Sequence, residues 1–197
     1  DLREAWQVAG ALSNNGADAF SCATSDGLTE LALPAGNLTL AFGPAGDVAA
    51  WLASAGSAQA TEDDWNLAAL QAALPRVDGP TAERFIPQQL NLDHLGVMSF
   101  EKGCYAGQEV IARLKYRGQV RQRLRVGRSA HALAPGQRLY RAQAQASQSA
   151  GEVLQALAAD GGWYCTAVID VDCAEPLFAG APDGPRVDFD PPAPGGE

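Results

Sequence analysis

The sequence predicts an α+β fold: an antiparallel sheet with packed helices to about residue 118, a small antiparallel β-barrel over 119–190, and a disordered tail over 191–197. Three observations carry this expectation. Residues 29–55 read strand, strand, helix, the order of helices laid on an antiparallel sheet. Beyond Gly118 the period becomes two, with Val120, Gln122, Leu124 and Val126 alternating with Arg121, Arg123 and Arg125. That pattern turns the first set toward a core and the basic set toward water. A chain of 197 residues with 47% apolar and 19% charged residues has enough hydrocarbon to build such a core.

Taken in order, Leu2, Ala5, Trp6, Ala9 and Leu12 recur at helical spacing, so the chain is expected to open in a helix. Asn14-Asn15-Gly16 makes a turn, and Phe20 to Ala23 a short strand. Thr29 to Leu33 and Leu38 to Phe42, separated by Pro34-Ala35-Gly36-Asn37, form a hairpin. Asp47 caps a helix over Val48 to Ala55, with Val48, Trp51 and Leu52 on one face. Thr61 caps the next helix, with acids in its first turn and Asp64 as the capping-box partner. Trp65, Ala68, Ala69 and Ala72 supply its stripe, and Pro75 stops it.

Pro80 to Gly96 reads as a long ordered loop, a length that usually serves function. Tyr105 to Tyr116 resumes a helix with Val110, Ile111 and Leu114 inward and Arg113, Lys115 and Arg117 outward. Gln137 to Ala142, Gly151 to Ala158, Trp163 to Val171 and Leu177 to Ala179 follow the strand at 120–126, giving about five barrel strands. Asp160-Gly161-Gly162 is the turn of a hairpin.

No run approaches the roughly 18 apolar residues of a spanning helix, so no membrane partner is expected. Cys22, Cys104, Cys165 and Cys173 include no C-x-x-C pair, which argues against a zinc knuckle or a thioredoxin-type centre. A reduced cytoplasmic location fits such cysteine usage, and a monomer is expected.

The net charge of −9 hides a segregation. From Lys102 to Arg128 eight bases face the single acid Glu109, a net +7 in 27 residues that leaves −16 on the rest. Such a segment can bind a polyanion despite an acidic whole. Arg113, Lys115, Arg117, Arg121 and Arg123 are the candidate anion or RNA contacts. A solvated strand face paired with acids elsewhere is the plainer alternative. Tyr116 is the one aromatic among these bases, so stacking on single strands is weakly supported.

Lys102-Gly103-Cys104-Tyr105-Ala106-Gly107-Gln108-Glu109 is the most informative stretch. A cysteine between a lysine and the first turn of a helix meets a positive field, which favours the thiolate and makes Cys104, with Lys102, the catalytic candidate. A small buried hydrophobe is the ordinary alternative for a free cysteine. Tyr105 either stacks on a planar ligand or plugs the core.

With Phe85-Ile86-Pro87-Gln88 and Asn91-Leu92 before it, and Ala112-Arg113 and Tyr116-Arg117-Gly118 after it, this octet resembles the signature of the YgfZ family of folate-binding proteins, relatives of the aminomethyltransferase of glycine cleavage. The resemblance implies a closing β-barrel, tetrahydrofolate as cofactor, and a role in assembling or repairing iron-sulfur clusters. Its clients include radical enzymes that methylthiolate tRNA, so client enzymes and tRNA are implied partners. It also implies an amino-terminal domain that this sequence does not show. Gln108, Glu109 and Tyr105 would line the folate site. The family's Glu-Ala-Gly-x-Pro segment is matched here by Gln71-Ala72-Ala73-Leu74-Pro75. Gln71 would meet a pterin through one oxygen where a carboxylate offers two. True aminomethyl transfer and a folate-free RNA-binding module are the alternatives to the cluster-assembly reading. His94 and His131 are too distant from Cys104 in sequence to define a dyad, while Asn91, Asp93 and His94 would reach it only if their loop folds back.

Overall fold

The computed structural model describes residues 5–12, 18, 20–34, 38–54, 60–142 and 148–191. The expected turn at Asn14 to Gly16, most of the loop at 34–37 and the tail beyond Pro191 lie outside them. Two compact units divide the chain, Asp1–Leu74 and Pro75–Glu197, so the segment from Pro75 to Gly118 groups with the barrel.

The first unit is a four-stranded antiparallel sheet of β1 (Trp6–Leu12), β2 (Cys22–Ser25), β3 (Leu28–Ala32) and β4 (Leu38–Pro44), in the order β1-β4-β3-β2. The opening helix is therefore corrected to a strand. Trp6 to Leu12 pairs residue for residue with Pro44 to Leu38, and Trp6, Val8 and Leu12 suit a pleated surface as readily as a helix. Gly10 disfavours the helix by about 1 kcal/mol and lets the Trp65 ring lie against the strand: a Cβ there would meet that ring at 2.5 Å. The expected β3–β4 hairpin is present. A second hairpin, β2–β3, turns at Asp26 and Gly27, both at positive φ. An Asp-Gly pair suits such a two-residue turn, and this hairpin was not among the expected elements.

Helix α1 spans Ala45–Ser54 and follows β4 directly. Asp47 consequently lies within the first turn instead of capping it, where its charge still complements the helix dipole. Val48 is buried and Trp51 half-buried, but Leu52 is exposed, so the expected face is narrower. Helix α2, Glu62–Gln71, has the capping box that the sequence announced. Thr61 Oγ1 accepts from the Asp64 N–H at 3.2 Å, and Asp64 Oδ2 accepts from the Thr61 N–H at 2.8 Å. These bonds, the backbone one foremost, hold the Asp64 carboxyl below its ordinary value. The helix ends at Gln71, before Pro75 can act, and Ala73 takes positive φ.

In the second unit, β5 (Gln122–Ser129), β6 (Arg138–Tyr140), β7 (Ser149–Ala159), β8 (Gly162–Asp170), β9 (Leu177–Ala179) and β10 (Arg186–Phe189) close a barrel in the order β10-β5-β8-β7-β6-β9. The fold is thus α+β with a carboxyl-terminal antiparallel barrel, as predicted. Closure removes the sheet edges, and here a sixth strand, β10, completes it beyond the expected five. β10 escaped notice because it is four residues long and buries only Val187. Leu139, Val153, Cys165, Ala167, Ile169, Leu177 and Val187 form the barrel core. Asp160 and Gly161, at positive φ, make the β7–β8 turn.

Candidate functional site

The loop before the barrel is tied to the helix that carries Ile111 and to strand β5. Gln88 is 2% exposed and donates through Nε2 to the Ile111 carbonyl at 2.8 Å. Asn91, at positive φ, donates through Nδ2 to the Leu124 carbonyl at 2.9 Å. Arg123 donates to Asp93 twice, at 2.9 and 3.0 Å, and to the Gln88 carbonyl at 2.9 Å. The side-chain amide of Asn91 and the carboxylate of Asp93 are thereby engaged with β5 instead of serving Cys104.

These bonds correct the expectation that the arginines of β5 face water. Arg123 is 19% exposed, and Arg125 donates to the carbonyls of Cys173 and Asp190. Burial pushes the Arg125 guanidinium down, partly offset by charge from Cys173 and Asp190. Period-two alternation places these side chains on the outer face of β5, but flanking loops cover that face.

Helix α3 spans Gln108–Arg117. Gly107, at positive φ, stands at its N-cap, so the helix starts later than expected and Cys104 lies ahead of its first turn. Cys104 is exposed, which sets aside the alternative of a small core residue. Lys102 Nζ sits over the Tyr105 ring, 4.7 Å from its centroid. Gln108 accepts the Tyr105 N–H through its side-chain oxygen at 3.2 Å. Lys102, Tyr105 and Gln108 are therefore linked to one another in the run that carries the exposed Cys104, with Glu109 exposed at the helix start. Gln71 ends α2 in the other unit and is exposed there.

A cavity of about 720 Å³ lies in the second unit, with Gln88, His94, Phe100, Lys115, Arg123 and Val171 in its lining. Lys115 Nζ stands 3.6 Å from the Phe100 centroid. Cys104, Tyr105, Gln108 and Glu109 do not line it. Phe100 and Val171 escaped sequence reasoning because nothing local marks them. Gln88 stood within the Phe-Ile-Pro-Gln run, and its Oε1 is a buried acceptor without a hydrogen-bond partner among the described residues.

Along α3, Val110 is 54% exposed and does not face inward as expected, while Ile111 and Leu114 are half-buried. Ala112, Arg113, Tyr116 and Arg117 frame a shallow recess of about 490 Å³. Among the described residues, the guanidinium groups of Arg113, Arg117 and Arg121 are exposed and engage no side chain or carbonyl.

The other cysteines divide by burial. Cys22 is exposed, whereas Cys165 and Cys173 are buried. Burial pushes the Cys165 thiol up to about 12 against a small opposing bond from Gly127, and raises Cys173 as well. Among the described residues no helix is long and apolar enough to cross a membrane.

No protein-family profile matches the chain. It is similar to the tRNA-modifying protein YgfZ of Cronobacter sakazakii, at 36% identity over 107 residues covering 53% of this chain and 32% of that protein. The protein of the same name in Edwardsiella ictaluri is 38% identical over 122 residues, covering 60% and 37%. That of Photobacterium profundum reaches 54% over 54 residues, covering 27% and 16%. The chain spans about a third of the length of the first two relatives.

Proposed function

We propose, from the premise that this chain belongs to the YgfZ family, that it serves tRNA modification as a folate-dependent accessory factor for assembling or repairing the iron-sulfur clusters of client enzymes. Cys104 is the reactive group in this reading. The observation that carries it is the exposure of that thiol inside the Lys-Gly-Cys-Tyr-Ala-Gly-Gln-Glu run, beside an ordered Lys102–Tyr105 pair. An exposed thiol can lose its proton to water and ligate one iron of a client cluster. A sulfur–iron bond forms and no electrons move, so ligation needs no oxidant or reductant.

Folate is the cofactor that family membership implies. The residues assigned to it do not enclose a pterin within their own unit: the Tyr105 face is covered by Lys102, the Gln108 oxygen is taken by the Tyr105 N–H, and Glu109 is exposed. A cytoplasmic location accords with the reduced cysteines this chemistry requires.

The test is complementation of a strain lacking the protein, scored by tRNA thiolation and by a cluster-dependent enzyme. Cys104→Ser is expected to fail in both while accumulating to the normal level. Full rescue by that variant would overturn the assignment to Cys104. Tetrahydrofolate titration, with Gln71→Glu alongside, tests the cofactor separately; tighter binding by the glutamate variant is expected.

A further inference from the structure

The acidic surplus of this protein makes unpaired arginines conspicuous. Among the described residues most other arginines are engaged: Arg84 with Glu152, Arg123 with Asp93, Arg141 with Asp172 and Arg186 with Asp188, while Arg128 lies over the Tyr164 ring. Arg113, Arg117 and Arg121 are not, although Glu109 sits one helical turn before Arg113, where an i,i+4 ion pair could form. Arg113 and Arg117 lie on one side of α3, about 6 Å apart along its axis. Tyr116, 69% exposed, joins them at the rim of the shallow recess.

We propose that this side of α3 binds single-stranded RNA, Arg113 and Arg117 holding successive phosphates, Arg121, just beyond the helix, adding its charge to the attraction, and Tyr116 stacking one unpaired base. Guanidinium forks match phosphate oxygens in pairs. An aromatic ring with one open face adds sequence-tolerant stacking, which a run of carboxylates could not use. The charge complementarity is thus to a polyanion that carries planar groups. Arg123 takes no part, since it is bound to Asp93, and Lys115 Nζ lies over Phe100 at 3.6 Å and toward one face of the Tyr116 ring at 5.7 Å, so a base would stack on the other face. The surface stands on charge and exposure; only the choice of RNA over DNA rests on the tRNA-modification reading.

Fluorescence anisotropy with a labelled RNA hairpin carrying an unpaired loop, against a fully paired RNA and a DNA hairpin of the same sequence, reads the proposal. The loop RNA is expected to bind tightest, with affinity falling as salt rises. The triple variant Arg113→Gln, Arg117→Gln, Arg121→Gln should bind at least about tenfold more weakly and lower the salt slope by about 2, close to 0.7 per lost charge. Tyr116→Ala should weaken binding roughly tenfold with the slope unchanged. Arg186→Gln, a charge change on the barrel, should leave affinity as it is. Matching melting temperatures would confirm that all variants are folded.

Equal binding by the triple variant, salt-insensitive binding, or displacement of RNA by polyglutamate at equal charge would each overturn the proposal. Equal affinity for the DNA hairpin would overturn the choice of RNA. A Cys104→Ser variant that rescues cells would leave this measurement untouched, so the two readings fail separately.

Discussion

Arg123 closes on Asp93 with both ends of its guanidinium, Nη1 standing 2.9 Å from Oδ1 and Nη2 3.0 Å from Oδ2. The pair ties the long loop to the first strand of the barrel and forms one wall of the 720 Å³ cavity. Burial tends to raise the Asp93 carboxyl, but the hydrogen bonds and charge of Arg123 outweigh it, and the group sits below 3.8. Its stabilisation is therefore complete above that ordinary value and is lost as pH falls through the lowered one.

Arg123→Ala is expected to cost about 2 kcal/mol, because it leaves a partly buried carboxylate without its partner. Asp93→Asn should cost less, since the amide still accepts one bond. Urea denaturation at neutral pH checks both, and the penalty of Arg123→Ala should shrink as Asp93 becomes protonated.

Glu152 reports pH with the opposite sign. Burial raises its carboxyl, and the charges of Arg84 and Arg138 reduce that rise without cancelling it. The folded state holds a proton that the unfolded chain has already released, so this group's stabilisation is complete below about 4.5 and lost as pH rises through the elevated value. The difference in melting temperature between the native protein and Glu152→Gln should therefore change across that window. A difference that stays flat from pH 4 to 7 would contradict the assignment.

Gly10→Ala should destabilise the first unit by roughly 1 to 2 kcal/mol, since the new methyl meets the Trp65 ring at 2.5 Å. The change should also alter tryptophan fluorescence. Trp65→Leu in the same chain is expected to recover part of the loss by making room.

Alkylation with iodoacetamide at pH 7 should label Cys22 and Cys104 in the folded protein and leave Cys165 and Cys173 unmodified until denaturant is added. Peptide mass mapping reads the order. Labelling of Cys165 under native conditions would contradict its burial in the barrel core.

Where a local rule suffices, the sequence was legible. Thr61 and Asp64 satisfy the first turn of α2 within four residues, and Asp160-Gly161 dictates the β7–β8 turn through its own backbone preferences. The exposure of Cys104 and of the arginines along α3 also lay within reach, since those residues stand in a charged segment with few apolar neighbours. Trp6 to Leu12 was different, because the spacing of its apolar residues suits a helix and its partner β4 begins 26 residues later.

By itself, the sequence determined the α+β class, the barrel that follows residue 118, and the motif around Cys104, because periodicity and turn chemistry act over a few neighbouring residues. Tertiary structure alone decided that the outer arginines of β5 become clamps and that β10 completes the barrel. It also decided that a cavity gathers Gln88, Phe100 and Val171 away from the thiol. Those outcomes depend on which distant segments cover a given face, and burial by a remote loop changes the energy of a charged side chain more than its neighbours in sequence do.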